Sequence, residues 1–287
     1  MTERIAAEVE RLVAAGEPVV LVTVADARGS TPRAAGTRMA VAAETIHGTI
    51  GGGRLEWEAI GRARAMIAAG ETIGTFDMPL GPAVGQCCGG HVVLRLDRAD
   101  AAALAGLAAT ETQERQAEPQ IVVFGAGHVG KALVRALAPL PVRVLWSDAR
   151  PEAFPPEVGD GVDVDAGGAA DTVDRADQGA AVVVMTHSHA LDYAITEAAL
   201  LRDDLAYVGL IGSRTKRRRF ERWFCARGGD ARALDRLVSP IGDAGVIDKR
   251  PAVIAALVTA EIVQALGRQE RLCVEPVEDS HRREAVK

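Results

Sequence analysis

Two adjacent cysteines, Cys87 and Cys88, stand in the segment GQCCGG at residues 85–90, and the whole chain holds only four cysteines. Successive side chains on extended or turning backbone point apart, so the pair is poorly placed to bond to itself. The surrounding glycines permit positive φ and let backbone N–H groups converge on a ligand. Converging amides favour the thiolate, the form that attacks electrophiles and binds soft metals. The same segment also reads as a tight turn with one buried and one exposed cysteine.

A second constellation is Gly125-Ala126-Gly127-His128-Val129-Gly130. A GxGxxG pattern alone says little. Here it follows the apolar run IVVF, opens a helical pattern, and has Asp148 at the end of the next strand, which together predict a Rossmann-type unit. Its free helix N–H groups and positive dipole end suit a phosphate held at Gly125, Gly127, His128 and Gly130. NAD(P) is the default ligand, and any phosphate-bearing cofactor satisfies the same amides. Asp148 admits three readings: an acceptor for ribose hydroxyls, an acceptor for the amino and ring N–H edge of a pterin, or a strand-end acid satisfied by a nearby backbone N–H.

His187 and His189, in MTHSHALD, fall at the C-terminal end of a predicted parallel strand, the edge that faces the ligand crevice in such sheets. They suit contact with a bound cofactor or hydrogen bonding within the loop, and Asp192 is placed to orient one imidazole. A metal would need further ligands, and no adequate set lies nearby in sequence. Ser213 and Arg214 end another strand and are expected at the same crevice. The following KRRRFER is a charge run, read as a solvated helix face, with an acidic partner or a phosphate as the alternatives. The glycine-dense GSTPR (residues 29–33) and GTIGGGRLE (residues 48–56) are tight turns, or else a concave backbone surface for a flat ligand. No P-loop, HExxH or CxxC pattern occurs, which removes kinase-like, zincin and thioredoxin readings.

The elements that must carry these residues follow from periodicity. Residues 2–15 are amphipathic, PVVLVTVADA is a buried strand, and a helix is expected over 55–69 after the three glycines. TFDM and HVVLRLD form a closing pair of strands around GQCCGG. Residues 97–120 shift to Ala, Glu, Gln and Thr, a helical or irregular linker with the domain boundary near residue 115. Beyond it, strands and helices alternate, which predicts parallel strands joined by right-handed crossovers. The expected fold is α/β: a Rossmann-type doubly wound sheet over 116–287, preceded by a smaller α+β domain with glycine-rich loops over 1–115.

The formal charge of −6 and the pI near 5.6 disfavour nucleic acid and anionic membranes as partners. There is no continuous run of about 18 apolar residues, so no membrane span is predicted. Acids stand in MTERIAAEVERLVAAG where a signal peptide has basic and then apolar residues, and the expectation is a cytoplasmic chain with reduced thiols. Cys225 and Cys273 are expected to pack as small hydrophobes. A homodimer is compatible with a two-domain α/β chain, and no interface is identifiable.

GSTPRAAGTRM, GTIGGGRLEW, LGPAVGQCCGGHV, VVFGAGHVGKAL, VVVMTHSHALD and YVGLIGSRTKRRRF, in this order and spacing, resemble the XdhC family of xanthine dehydrogenase accessory proteins. The likeness runs from about residue 19 to residue 266. Within it, GGGRLEW and QCC look like the xanthine dehydrogenase branch. The CoxI-like branch has a cysteine where this chain has Arg54, and that departure concentrates any thiol role on Cys87 and Cys88. SPIGDAGVIDKRP before the last helix is a minor departure.

The resemblance implies a cofactor chaperone without turnover of its own. Such proteins bind the molybdenum cofactor, a molybdopterin with a terminal phosphate. They present it to a cysteine desulfurase for sulfuration, protect it, and insert it into apo-xanthine dehydrogenase. On that reading the phosphate lies at Gly125, Gly127 and Gly130, the pterin edge reaches Asp148, and a thiolate of Cys87 or Cys88 meets the molybdenum. The rivals are an NAD(P)-dependent oxidoreductase and a nucleotide-sensing regulator. Against the first, no Tyr-x-x-x-Lys pattern or positioned His-Asp pair stands out to handle a proton.

Overall fold

The computed structural model describes residues 4–80, 90–159, 161–167 and 169–273, and the chain divides into two compact units, Met1–Ala117 and Glu118–Lys287. Cys87 and Cys88 lie outside the described residues.

The first unit runs α1 (Ala6–Ala14), β1 (Val20–Arg28), β2 (Arg38–Val41), β3 (Ile46–Gly48), α2 (Gly53–Ala69), β4 (Ile73–Pro79), β5 (His91–Arg98) and α3 (Ala101–Ala117). Its strands form one antiparallel sheet in the order β3-β2-β1-β5-β4. Period-two alternation decides the two faces. Val20, Val22, Val24, Leu94 and Leu96 turn to α2 and pack on Leu55, Ala59, Ala63 and Met66. Leu21 and Ala40 point the other way, into a second cluster with Ile5, Val9 and Leu12 of the α1 region and Leu107 of α3. The stretch expected as a linker is therefore mostly the helix α3. Its Glu111 is buried, and it serves α1, whose own cap residue makes no side-chain hydrogen bond. The Glu111 carboxylate accepts the Ile5 N–H at 2.8 Å and the Ala6 N–H at 3.2 Å, two of the donors a helix start leaves without partners.

The second unit runs β6 (Gln120–Phe124), α4 (His128–Leu137), β7 (Arg143–Ser147), β8 (Val162–Asp165), α5 (Ala169–Asp174), β9 (Ala181–Val184), α6 (His189–Leu201), β10 (Tyr207–Leu210), α7 (Arg214–Ala226), β11 (Leu237–Val238) and α8 (Pro251–Cys273). Six parallel strands lie in the order β11-β10-β9-β6-β7-β8. Both sheet faces are covered. Leu133, Val134, Val258 and Ile262 of α4 and α8 pack on one, and Ile195, Ala199, Phe220 and Phe224 of α6 and α7 on the other. Strand order reverses between β6 and β9, and at such a switch point the loops after the two strands diverge and leave a crevice.

One sequence expectation changes here. Cys225 is exposed, because Phe220 and Phe224 set the buried face of α7 and the next residue is rotated about 100° away from it. Residues Pro251–Arg268 of α8 form a helix long and apolar enough, by length and composition, to cross a membrane. Its Ala255, Val258, Ile262 and Ala265 are nonetheless buried in the core beside α4.

Candidate functional site

The glycines of the β6–α4 turn have separate duties. Gly125 has φ +113°, a left-handed value that a side chain resists, and a Cβ there would overlap the Met185 carbonyl oxygen. Gly130 sits in the first turn of α4, where a Cβ would overlap the Gly125 carbonyl oxygen. Both therefore let the turn close. Gly127 differs: its φ is −74° and a Cβ would meet nothing within 4 Å. It caps α4 without a side-chain bond to the helix amides, and His128 follows it, exposed. The open side of the turn is thus at Gly127, beneath the positive end of α4.

Asp148 follows β7 and is almost fully buried. Its Oδ2 accepts the Ala126 N–H at 2.8 Å and the Arg150 guanidinium at 2.8 Å. Its Oδ1 accepts the Arg150 N–H at 3.0 Å and Arg150 Nε at 2.9 Å. The carboxylate is held by the protein itself, the third of the arrangements open to it in the sequence. Burial opposes its charge, but the bonds from Arg150 and Ala126 and the guanidinium charge outweigh this and hold its pKa at about 2. A carboxylate depressed in the folded state contributes its stabilisation above its unfolded pKa and loses it as pH falls through the folded one. Acid titration of the second unit should therefore show a loss of stability from about pH 4 down to about 2 that Asp148→Asn removes, read by thermal melts across that range.

At the end of β9, the N–H and hydroxyl of Thr186 donate to Asp192 Oδ1 at 2.9 and 2.8 Å. Lys216 Nζ donates to Asp192 Oδ2 at 2.5 Å and to the Ile211 carbonyl at 2.8 Å. Asp192 therefore holds Thr186 and Lys216, and among the described residues it makes no hydrogen bond to an imidazole. Ser188 caps α6 by accepting the Leu191 N–H, and His189 is the exposed first residue of that helix. His187 lines a cavity with Phe124, Asp148 and Leu191; His189 does not. Ser213 caps α7 by accepting the Lys216 N–H at 3.2 Å, and Arg214 is exposed with Asp243 at 3.2 Å. Among the described residues, no group of three or more His, Cys, Asp or Glu is arranged to hold a metal ion.

Lys216 and Arg150 escaped the sequence reading. Lys216 looked like part of the charge run, and the only cue to its burial is Gly212, whose Cβ would lie 2.5 Å from Lys216 Cδ. Arg150 stands two residues beyond Asp148, a spacing without a motif.

In the first unit, the glycine segments converge. A Cβ on Gly51 would stand 2.6 Å from Pro32, and one on Gly90 would overlap the Ser30 carbonyl oxygen. The GSTPR loop thus wedges between the GGG turn and the end of the GQCCGG segment. Glu56, at the start of α2, accepts the Thr49 hydroxyl at 2.5 Å, the Ile50 N–H at 3.0 Å and the Gly52 N–H at 3.1 Å. The GGG amides are partly occupied by the chain's own carboxylate. His91, which follows Gly90, pairs with Asp77 across the β4–β5 ladder.

Residues 121–262 match the XdhC Rossmann domain, and residues 12–77 match the XdhC and CoxI family. The uncharacterized protein YqeB of Escherichia coli K12 is 29% identical over 259 residues, which cover 86% of this chain and 43% of YqeB. The chain therefore spans less than half the length of that relative. The crystal structure of a xanthine dehydrogenase (BH1974) from Bacillus halodurans is similar in fold, with a TM-score of 0.72 at 19% identity over 96% of this chain and 98% of that one. Matched in each of its two units by models of one family, the chain belongs to the XdhC family.

Proposed function

We propose that the chain is an accessory protein for xanthine dehydrogenase or a related molybdenum hydroxylase, whose cargo is the molybdenum cofactor. Membership of the XdhC family supports the accessory role. The observation that carries the cofactor reading is the open approach at Gly127, above first-turn amides of α4 that no side chain caps among the described residues. The helix dipole favours a terminal phosphate there, and no atom stands within 4 Å of the place a Gly127 Cβ would take. Asp148 serves this reading by fixing Ala126 and Arg150, so the turn is ordered before the phosphate arrives. Bound cofactor supplies the molybdenum centre that the hydroxylase needs; this chain binds it, shields it from water and hands it over. Sulfuration by a cysteine desulfurase and insertion into the apo-enzyme complete the proposal. Its thiols are Cys87 and Cys88.

The test is analysis of metal and released pterin in the full chain purified from a molybdenum-replete host. Molybdopterin at about one per chain is expected, with occupancy lowered about tenfold or more in Cys87→Ala or Cys88→Ala. Full retention in both variants removes the thiols from the account. A bound nicotinamide without molybdenum favours an oxidoreductase and overturns it.

A further inference from the structure

The first unit holds a groove of about 760 Å³ between α3 and the sheet face turned away from α2. Ala102, Ala103 and Gly106 of α3 form one wall, and such small residues leave the space beside the helix unfilled. The stretch of α3 from Ala102 to Thr110 gives the groove a length of about 12 Å. Strand register orders the floor. Leu21, Asp97 and Ile73 make one row across β1, β5 and β4, and Arg38, Thr23 and Arg95 make another across β2, β1 and β5. The first row is apolar at Leu21 and Ile73, with Leu107 of α3 beside it, and Ile73 is 71% exposed. Pockets on this scale, with apolar walls and a few fixed polar groups, hold small organic ligands.

The second row begins at Arg38, which is only 8% exposed. Its Nη2 donates to the Glu114 carboxylate of α3 at 2.6 Å, while its Nε is buried without a hydrogen-bond partner among the described residues. Buried donors are nearly always paired, and one on a charged group is among the costliest to leave open. The acids of the groove are engaged elsewhere. Asp97 accepts from Arg95 at 2.6 Å, and Asp100 accepts the Ala103 N–H at the start of α3 at 2.8 Å. The missing acceptor is therefore sought outside the chain. Three guanidinium groups, of Arg38, Arg95 and Arg98, line the groove against the two carboxylates, an excess of one positive charge. A singly charged acid matches that excess and a phosphate dianion exceeds it. A planar carboxylate also fits the guanidinium fork, and the neighbouring apolar row gives an aliphatic tail its place.

We infer that this groove binds a medium-chain carboxylic acid, its carboxylate on Arg38 and its tail over Leu21, Leu107 and Ile73. The groove is built by the first unit alone and needs no molybdenum, so this inference and the cofactor reading stand or fall separately.

The experiment titrates the full chain by calorimetry with octanoate, with octylammonium, which has the same chain length and the opposite charge, and with acetate, which lacks the tail. Octanoate should bind about tenfold or more tightly than either. Arg38→Met keeps an aliphatic stem and removes the guanidinium, and it should weaken octanoate about tenfold. A Cβ at Gly106 would meet nothing within 4 Å, so Gly106→Phe should melt as the parent chain does while its ring fills the groove, and octanoate binding should be lost. No binding of octanoate, equal binding of octylammonium or acetate, or octanoate affinity indifferent to either substitution would overturn the inference.

Discussion

Lys216→Met should destabilise the second unit by about 3–5 kcal/mol, the loss typical when one partner of a buried ion pair is removed. The Lys216 and Asp192 side chains are only 11% and 2% exposed, so water screens little of their charge. Methionine keeps much of the aliphatic stem that packs beside Gly212, and what disappears is the ammonium between Asp192 and the Ile211 carbonyl. Asp192 is then a buried carboxylate whose donors, among the described residues, are the two of Thr186. The double variant Lys216→Met/Asp192→Asn removes the stranded charge and should recover much of the loss. Urea denaturation of the full chain measures both. A single-variant loss below about 1 kcal/mol, the range of exposed pairs, would show that the pair is solvated. The pair matters for the site because Asp192 anchors the turn after β9 and Lys216 ties it to the end of β10.

Gly130→Ala should destabilise by about 1–3 kcal/mol or more, although glycine to alanine inside a helix ordinarily stabilises by roughly 1 kcal/mol. The reversal of sign follows from the neighbour that the new methyl meets. It is the Gly125 carbonyl oxygen, part of the backbone, and cannot swing aside. Gly127→Glu should behave in the opposite way. Its φ is ordinary and its surroundings are open, so stability should stay within about 0.5 kcal/mol of the parent chain. The carboxylate then lies where the phosphate is proposed, and cofactor occupancy should collapse. Thermal melts and metal analysis of the two variants separate a packing glycine from a binding one. If Gly127→Glu melts early, or Gly130→Ala gains stability, this division between them is wrong.

How far the chain could be read in advance depended on the range of each interaction. The strand, glycine turn, helix and strand-end acid around Gly125 and Asp148 form a local pattern, and the second unit folds accordingly. Edge strand β8 carries no comparable pattern, because VDVD places acids where a buried parallel strand has aliphatics, and its pairing with β7 makes it a strand. Asp148 was found by spacing, but its bond to Ala126 depends on two elements meeting, and Arg150 carries no signature. Lys216 shows the same limit more sharply. Its place in the first turn of α7 aims it back over the strand ends, while its neighbours Arg218 and Arg219 face solvent. In the first unit, the three glycine segments were legible as turns. Their mutual contact, through Pro32 at Gly51 and Ser30 at Gly90, is a tertiary fact. Cys225 was readable after all, since Phe220 and Phe224 already fix which face of α7 is buried.

The account rests on one claim, that the open turn at Gly127 receives the phosphate of a molybdenum-bearing pterin. The direct measurement is the molybdenum and pterin content of the full chain and of Gly127→Glu, both purified from the same molybdenum-replete host. The account predicts about one molybdopterin per parent chain and about tenfold less, or none, in the variant, with both proteins folded. Equal occupancy in the two, or a parent chain that carries nicotinamide and no molybdenum, would contradict it.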